Sequence, residues 1–133
     1  ATALGGHVTV GDRVIMGGGA AIHQFCRIGE GAFMQGHAGA SVDIPAWCIS
    51  KEINRIAGLN LIGMRRSGMS RDDIAVRRAA YRVIYRSDLA MPAVIAQLRA
   101  DGGRIFTEYA DFIEQSERGI CHDRDPASRH SIK

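Results

Sequence analysis

Residues 2–43 read TALGGH, VTVGDR, VIMGGG, AAIHQF, CRIGEG, AFMQGH, AGASVD: seven frames of six residues without interruption. The third residue of every frame is apolar (Leu4, Val10, Met16, Ile22, Ile28, Met34, Ala40), and the first is small or β-branched (Thr2, Val8, Val14, Ala20, Cys26, Ala32, Ala38). Four frames place glycine directly after the apolar residue, at Gly5, Gly11, Gly17 and Gly29. A six-residue period marks a parallel β-helix, in which three frames close one triangular coil. Each frame is then a short flat strand and a corner. Its third side chain points into the prism, and its first stays compact where the interior narrows. Glycine after the aliphatic residue is expected to supply backbone conformations that a Cβ opposes. Successive coils stack at about 4.8 Å, so each backbone donor and acceptor meets a partner in the next coil.

Seven frames make only two and a third coils, fewer than the three or more units that a free-standing solenoid needs. The chain also opens on Ala1, already in register. Together these facts are read as the C-terminal portion of a longer polypeptide. After Asp43 the hexad fades through Ile44, Pro45, Ala46 and Trp47, a stretch suited to closing the last coil over its exposed edge. The expected organisation is mixed β and α: β-helix coils over 1–50, an irregular connecting segment over 51–69, a small helical domain over 70–120, and a disordered tail over 121–133.

Within the helical part, Ser70 caps a first helix, with Asp73 at capping-box spacing and Asp72 adding favourable charge. Val76, Ala80, Val83 and Ile84 form its core stripe. Pro92 suits the first turn of a second helix carrying Val94, Ile95 and Leu98, which Asp101, Gly102 and Gly103 end. A third helix presents Ile105, Tyr109, Phe112 and Ile113 on one face and is expected to run to near Gly119.

Composition narrows the function. Net charge is +3, and Lys51 and Lys133 are the only lysines, so arginine supplies the positive side. That balance permits an anionic ligand without requiring nucleic acid, and the few aromatics are not interleaved with cations as a single-strand stacking platform needs. Cys26, Cys48 and Cys121 are too widely spaced for a zinc or disulfide framework and read as reduced thiols of a cytoplasmic protein. There is no apolar run of about 18 residues, and hence no integral membrane segment.

Three histidines lie in the repeat. His7 and His23 differ by 16 residues where a coil takes 18, and His7 and His37 differ by 30, which puts them on different walls. Within one subunit they do not converge on a metal. His23, followed by Gln24 and Phe25, occupies the frame position that glycine takes elsewhere. Spacing leaves open whether it serves a substrate or bonds a neighbouring carbonyl at a corner; for His7 and His37 a solvated turn is the plainer reading. The adjacent Arg65 and Arg66 suit either a bidentate phosphate clamp or a solvated face. Asn60 bonds either a nucleotide or its own turn.

The segments AIHQFCRIG (21–29), GLNLIGMRRSGMS (58–70), AYRVIYRSD (80–88) and ERG (117–119) occur in this order. They resemble the acyl-[acyl carrier protein]–UDP-N-acetylglucosamine O-acyltransferase family, which performs the first step of lipid A biosynthesis. The resemblance runs from about residue 2 to residue 120, and HQF followed by GLN-x-x-G-x-R-R is its specific part. It implies a left-handed parallel β-helix with a C-terminal helical domain, assembled as a homotrimer with active sites between neighbouring prisms. It implies transfer of a 3-hydroxyacyl chain from acyl carrier protein to the 3-hydroxyl of the UDP-amino sugar. The donor is the carrier's acyl-phosphopantetheine, and no metal or other cofactor takes part. A histidine base deprotonates the hydroxyl, and backbone N–H groups hold the oxyanion.

Carried over by residue, His7, His23 and Gln24 border the sugar and acyl chain, Asn60 lies near the UDP, and Arg66 engages its phosphates. Gly36 falls where the family sets acyl-groove depth, with Phe33 nearby, bulky enough to imply a shorter or differently bent chain. Two departures stand out. The family's catalytic base belongs about one coil before His7, upstream of Ala1, so this chain is expected to lack it and to be inactive alone. Ile62 stands where relatives often carry a carboxylate, and KEINRIA (51–57) is not the common form. The competing readings are a hexapeptide acetyltransferase using acetyl-CoA and a non-catalytic trimerising remnant.

Overall fold

In the computed structural model, which describes residues 2–123, every hexad forms one two-residue strand. These are β1 (Ala3–Leu4), β2 (Thr9–Val10), β3 (Ile15–Met16), β4 (Ala21–Ile22), β5 (Arg27–Ile28), β6 (Phe33–Met34) and β7 (Gly39–Ala40). All pair in parallel with the strand three frames away, in the 18-residue register Ala3↔Ala21, Thr9↔Arg27, Ile15↔Phe33, Ala21↔Gly39. Three walls result: β1–β4–β7, β2–β5, and a third that starts β3–β6. The inter-coil bonds are short and regular, for example Gly5 N to Ile22 O at 2.8 Å and Gly11 N to Ile28 O at 2.8 Å.

The interior follows the frame. Ala20, Ile22, Cys26, Ile28, Ala32, Met34, Ala38 and Ala40 are all buried, none more than 5% exposed. In the first coil the same positions are open, with Leu4 54% and Val10 39% exposed.

Two expectations about the frame need correction. The glycine after the aliphatic residue is not there for φ, since Gly5, Gly11, Gly17 and Gly29 do not have positive values. It is there because the next coil passes too close: a Cβ on these four would lie 2.4–2.7 Å from the backbone nitrogen of Gln24, Glu30, Gly36 and Ala46 respectively. The left-handed residue is instead the sixth of the frame, at His7, Arg13, Gly19, Phe25, Gly31 and His37. Nor does the hexad simply fade after Asp43. The chain shortens its last coil by two residues, so that Ile28 pairs with Ile44 and Phe33 with Ile49, a spacing of 16. Ile44 takes the inward place at 0% exposure, Pro45 and Trp47 are buried beside it, and the indole of Trp47 lies over Gly31.

The segment expected to be irregular is ordered. β8 (Cys48–Lys51) completes the third wall against β6 and turns back into antiparallel β9 (Arg55–Leu59), followed by α1 (Leu61–Arg66). Then come α2 (Arg71–Arg86), α3 (Met91–Asp101) and α4 (Arg104–Glu114), the last ending earlier than Gly119. The Ser70 hydroxyl accepts from Asp73 N at 3.1 Å, but the Asp73 carboxylate turns to Arg104 at 3.3 Å, so only half of a capping box forms. Replacing Ser70 with alanine is expected to cost about 1 kcal/mol, read as a lower urea midpoint at unchanged slope.

The helices share one core with the coils: Ala80, Ile84, Val94, Leu98, Ile105 and Ile113 belong to the same buried cluster as Ile22 and Met34. Polar ties cross the junction. Arg27 projects from β5 to donate to Asp43, Phe112 O and Ser116 Oγ, with its guanidinium 4.3 Å over the Phe112 ring. Tyr109 donates to Ala46 O at 2.9 Å, and Tyr85 to Cys121 O at 2.8 Å.

The start of the expected tail is likewise ordered. Cys121 is fully buried, Ile120 bridges Asp43, and His122 bridges Arg55. The rest of that expectation, 124–133, lies outside the described residues. The three cysteines are free and buried, and among the described residues no helix is long and apolar enough to cross a membrane.

Candidate functional site

The third wall turns three outward side chains, Ile15, Phe33 and Ile49, toward α1. The groove between them has a volume of about 590 Å³ and is also lined by Arg13, Gln35, Trp47, Asn60, Ile62, Arg66 and Ser67. Its floor is apolar, two arginines line it, and among the described residues no carboxylate does. Such a surface receives an anion that carries an apolar or planar portion.

Asn60 builds this groove rather than standing free in it. Its side-chain oxygen accepts from Gly63 N at 3.0 Å, capping α1, and its amide nitrogen donates to Gly31 O at 3.0 Å. The backbone N–H of Asn60 donates to Trp47 O at 2.7 Å. The start of α1 is thereby pinned to a corner of the prism, and Arg66 in the last turn is carried to the groove edge. Neither Arg66 nor Arg13 has an acidic partner among the described residues.

His23 lies elsewhere. It is exposed on the first wall, at the end of β4, over a shallow depression lined by Leu4, Gly5, Ala21, Gly39, Ser41 and Ile53. Its backbone nitrogen donates to Ala40 O at 2.7 Å. Gln24, next along, is exposed at the corner. His7 stacks flat on Phe25 of the next coil, ring centroids 5.2 Å apart and planes within 1°. Both are left-handed corner residues, with φ of 57° and 65°.

The residues singled out in the sequence thus divide between faces. Phe33, Asn60 and Arg66 share the third-wall groove. His23 is on the first wall, and His7 and Gln24 are near the corner that follows it. Gly36 is exposed and does not line the groove with Phe33; a Cβ there would find only Gly18 O, at 3.4 Å. Ile62, 63% exposed, gives the groove an apolar edge.

Residues 43–121 match the family described as UDP N-acetylglucosamine O-acyltransferase, domain 2. The chain belongs to this family. The match opens at Asp43, where the last coil shortens, and takes in both ends of the Asn60–Arg66 clamp.

Curated relatives extend the UDP-N-acetylglucosamine O-acyltransferase likeness into the coils. The acyl-[acyl-carrier-protein]–UDP-N-acetylglucosamine O-acyltransferase of Anaeromyxobacter dehalogenans is 40% identical over 121 residues, covering 89% of this chain and 47% of its own length. The enzyme of the same name from Burkholderia mallei is 37% identical over 125 residues, covering 88% and 47%. The UDP-N-acetylglucosamine acyltransferase structure from Francisella novicida superposes with a TM-score of 0.85 at 29% identity, covering 96% of this chain and 48% of that one. The chain spans about half the length of the curated relatives it matches.

Three groove residues of this family member escape a reading of the sequence: Arg13, Gln35 and Trp47. Nothing in the frame distinguishes Arg13, a sixth residue like any other. Gln35 carried a faint signal, since it stands where four frames have glycine.

Proposed function

We propose that this chain supplies part of the site of an O-acyltransferase that moves a 3-hydroxyacyl chain from acyl carrier protein to the 3-hydroxyl of UDP-N-acetylglucosamine, the first step of lipid A biosynthesis. One observation supports the reading: the candidate residues divide between two faces of one prism, His23 on the first wall and Arg66 on α1 beside the third. A threefold assembly that sets the first wall of one copy against the third wall of the next joins them. A homotrimer of left-handed coils in the cytoplasm, with residues 70–120 as its helical domain, is the architecture we assign to the whole protein.

In that cleft Arg66 holds the diphosphate, Asn60 keeps α1 in place beside the nucleotide, and His7, His23 and Gln24 border the sugar and the acyl chain. Phe33, on the floor of the groove beside Arg66, limits the room left to the acyl chain, whereas Gly36 lies outside that groove. The base is a histidine about one coil before His7, contributed by coils N-terminal to those described here. It takes the proton of the sugar 3-hydroxyl as that oxygen attacks the thioester carbonyl. Backbone N–H groups meet the tetrahedral oxyanion, and its collapse expels the phosphopantetheine sulfur, which leaves with a proton as a free thiol. No metal or bound cofactor enters these steps.

The test is thiol release from 3-hydroxyacyl-carrier protein in the presence of UDP-N-acetylglucosamine, by a polypeptide that carries the upstream coils. We expect turnover with the carrier protein, none with acetyl-CoA, and none by the 133-residue chain alone. Arg66→Gln is expected to raise KM for the UDP-sugar about tenfold, the loss of one charge-assisted contact. Turnover with acetyl-CoA, or no thiol release with any 3-hydroxyacyl donor, overturns the reading.

A further inference from the structure

We infer that Arg13 is a second anion-binding residue of the third-wall groove, meeting one phosphate of a nucleoside diphosphate sugar while Arg66 meets the other. The inference rests on the assignment of that groove to the UDP-sugar. It adds a residue which nothing in the family motifs singles out.

The first argument is charge. Six arginines, Arg27, Arg55, Arg77, Arg86, Arg99 and Arg104, each pair with a carboxylate. Among the described residues Arg13, Arg65, Arg66, Arg71, Arg78, Arg82 and Arg118 have no carboxylate partner; of these, Arg13 and Arg66 line the same groove, and no described Asp or Glu lines it with them. Two unneutralised guanidiniums facing one cavity repel each other in the empty state and gain when an anion enters between them. A diphosphate ester carries one negative charge on each phosphate, so one guanidinium leaves half of that charge to solvent.

The second argument is position. Arg13 occupies a left-handed corner, φ 61°, in the same column as Gly31 and, one shortened coil further, Trp47. Because Gly31 has no side chain, the indole of Trp47 lies across it; a Cβ there would sit 2.2 Å from the ring. This corner column therefore brings Trp47 and Arg13 to one groove that is otherwise floored by Ile15, Phe33 and Ile49. The opposite edge is α1, which carries Arg66. An anion lying along the groove is flanked by cations from two elements 53 residues apart in sequence, which the fold brings to one place.

The experiment is calorimetric titration of the chain with UDP-N-acetylglucosamine, with inorganic pyrophosphate and, separately, with uridine. Arg13→Gln and Arg66→Gln are each expected to weaken the UDP-sugar about tenfold and to flatten the salt dependence, while leaving uridine unchanged. Arg13→Gly serves as the second variant, because glycine is at home in this corner and the substitution relaxes the backbone while removing the cation. It should bind as weakly as Arg13→Gln. If both Arg13 variants bind the UDP-sugar as the parent does while Arg66→Gln does not, Arg13 has no such role and the groove assignment stands. If the parent chain binds neither UDP-N-acetylglucosamine nor inorganic pyrophosphate, the assignment and the inference both fall.

Discussion

Gly29→Ala is expected to destabilise the chain by about 3 kcal/mol or more, above the usual cost of overpacking. The added methyl carbon would lie 2.4 Å from Ala46 N, 2.7 Å from Ala46 Cα and 2.9 Å from Pro45 C. All three are backbone atoms of the coil above, so no side chain can swing away. Relief requires the coils to separate, which stretches the bond from Gly29 N to Ile44 O, now 2.8 Å, and lifts Ile44 from the prism. The contact also falls where the last coil is two residues short and has no slack. Against a total stability of roughly 5–15 kcal/mol, such a loss lowers the melting temperature by about 10 °C. The control is Gly18→Ala, whose Cβ would meet nothing within 4 Å. There we expect no loss, or a gain of a few tenths of a kcal/mol from the stiffer unfolded chain. If both variants melt together, close coil approach is not what the frame glycines serve.

That pair of glycines also shows what the sequence disclosed and what it withheld. The frame and its 18-residue stacking follow from which residues are apolar, because a narrow prism admits only those side chains. The caps and stripes of the helices are local and equally readable: Ser70 on α2, Pro92 at the start of α3, Gly102 at its end. The reason for the glycines is not local. It depends on an approach between residues 17 to 19 apart in sequence, and a lone chain gives the same pattern whether φ or proximity demands it. The left-handed corners were hidden for a related reason. His, Arg, Phe and Gly all occupy them, since the turn is imposed by coil closure rather than by residue preference.

The shortened coil and the elements β9 and α1 were invisible because their signals are non-periodic. Ile44 enters the core two residues early, and α1 is six residues long with a glycine inside it. The cap of α1, Asn60, does announce itself once its bond to Gly63 is known. The candidate groove was legible in parts: the motif resemblance singled out Arg66, Asn60 and Phe33, which the fold gathers into one groove. Arg13 and Trp47 join them through corner stacking, which no frame position reports. Arg27, Asp43 and Ser116 are tied across 89 residues and looked like ordinary surface polar residues in the sequence.

Raising the pH from about 9 toward about 12 is expected to unfold the chain, through groups that the mechanism does not use. Burial pushes the thiols of Cys26, Cys48 and Cys121 up from 9.0, that of Cys121 to about 12. Burial likewise raises the phenols of Tyr81, Tyr85 and Tyr109 from 10.0, that of Tyr81 to about 12. Tyr85 and Tyr109 also use their protons, in the bonds to Cys121 O and Ala46 O that hold the helices on the coils. In the unfolded chain the thiols ionise near pH 9 and the phenols near 10. Between those values and the raised native ones, the folded state binds more protons than the unfolded state, so stability falls as pH rises. Below about pH 9 these groups are protonated in both states and their full contribution is present. Each pH unit over which one group is protonated only when folded removes roughly 1 kcal/mol. Several groups acting together therefore reach the size of the total stability. The urea midpoint should hold steady to about pH 9 and then drop steeply. Phenolate absorbance and thiol alkylation should appear together with the loss of helical circular dichroism, never ahead of it. Cys121→Ala removes one of the groups, so its midpoint should start lower because of the cavity and then fall less steeply with pH. Rapid alkylation of all three thiols in the folded chain at about pH 9 would show that the walls and helices do not shield them, and the shared core joining prism to helices would have to be redrawn.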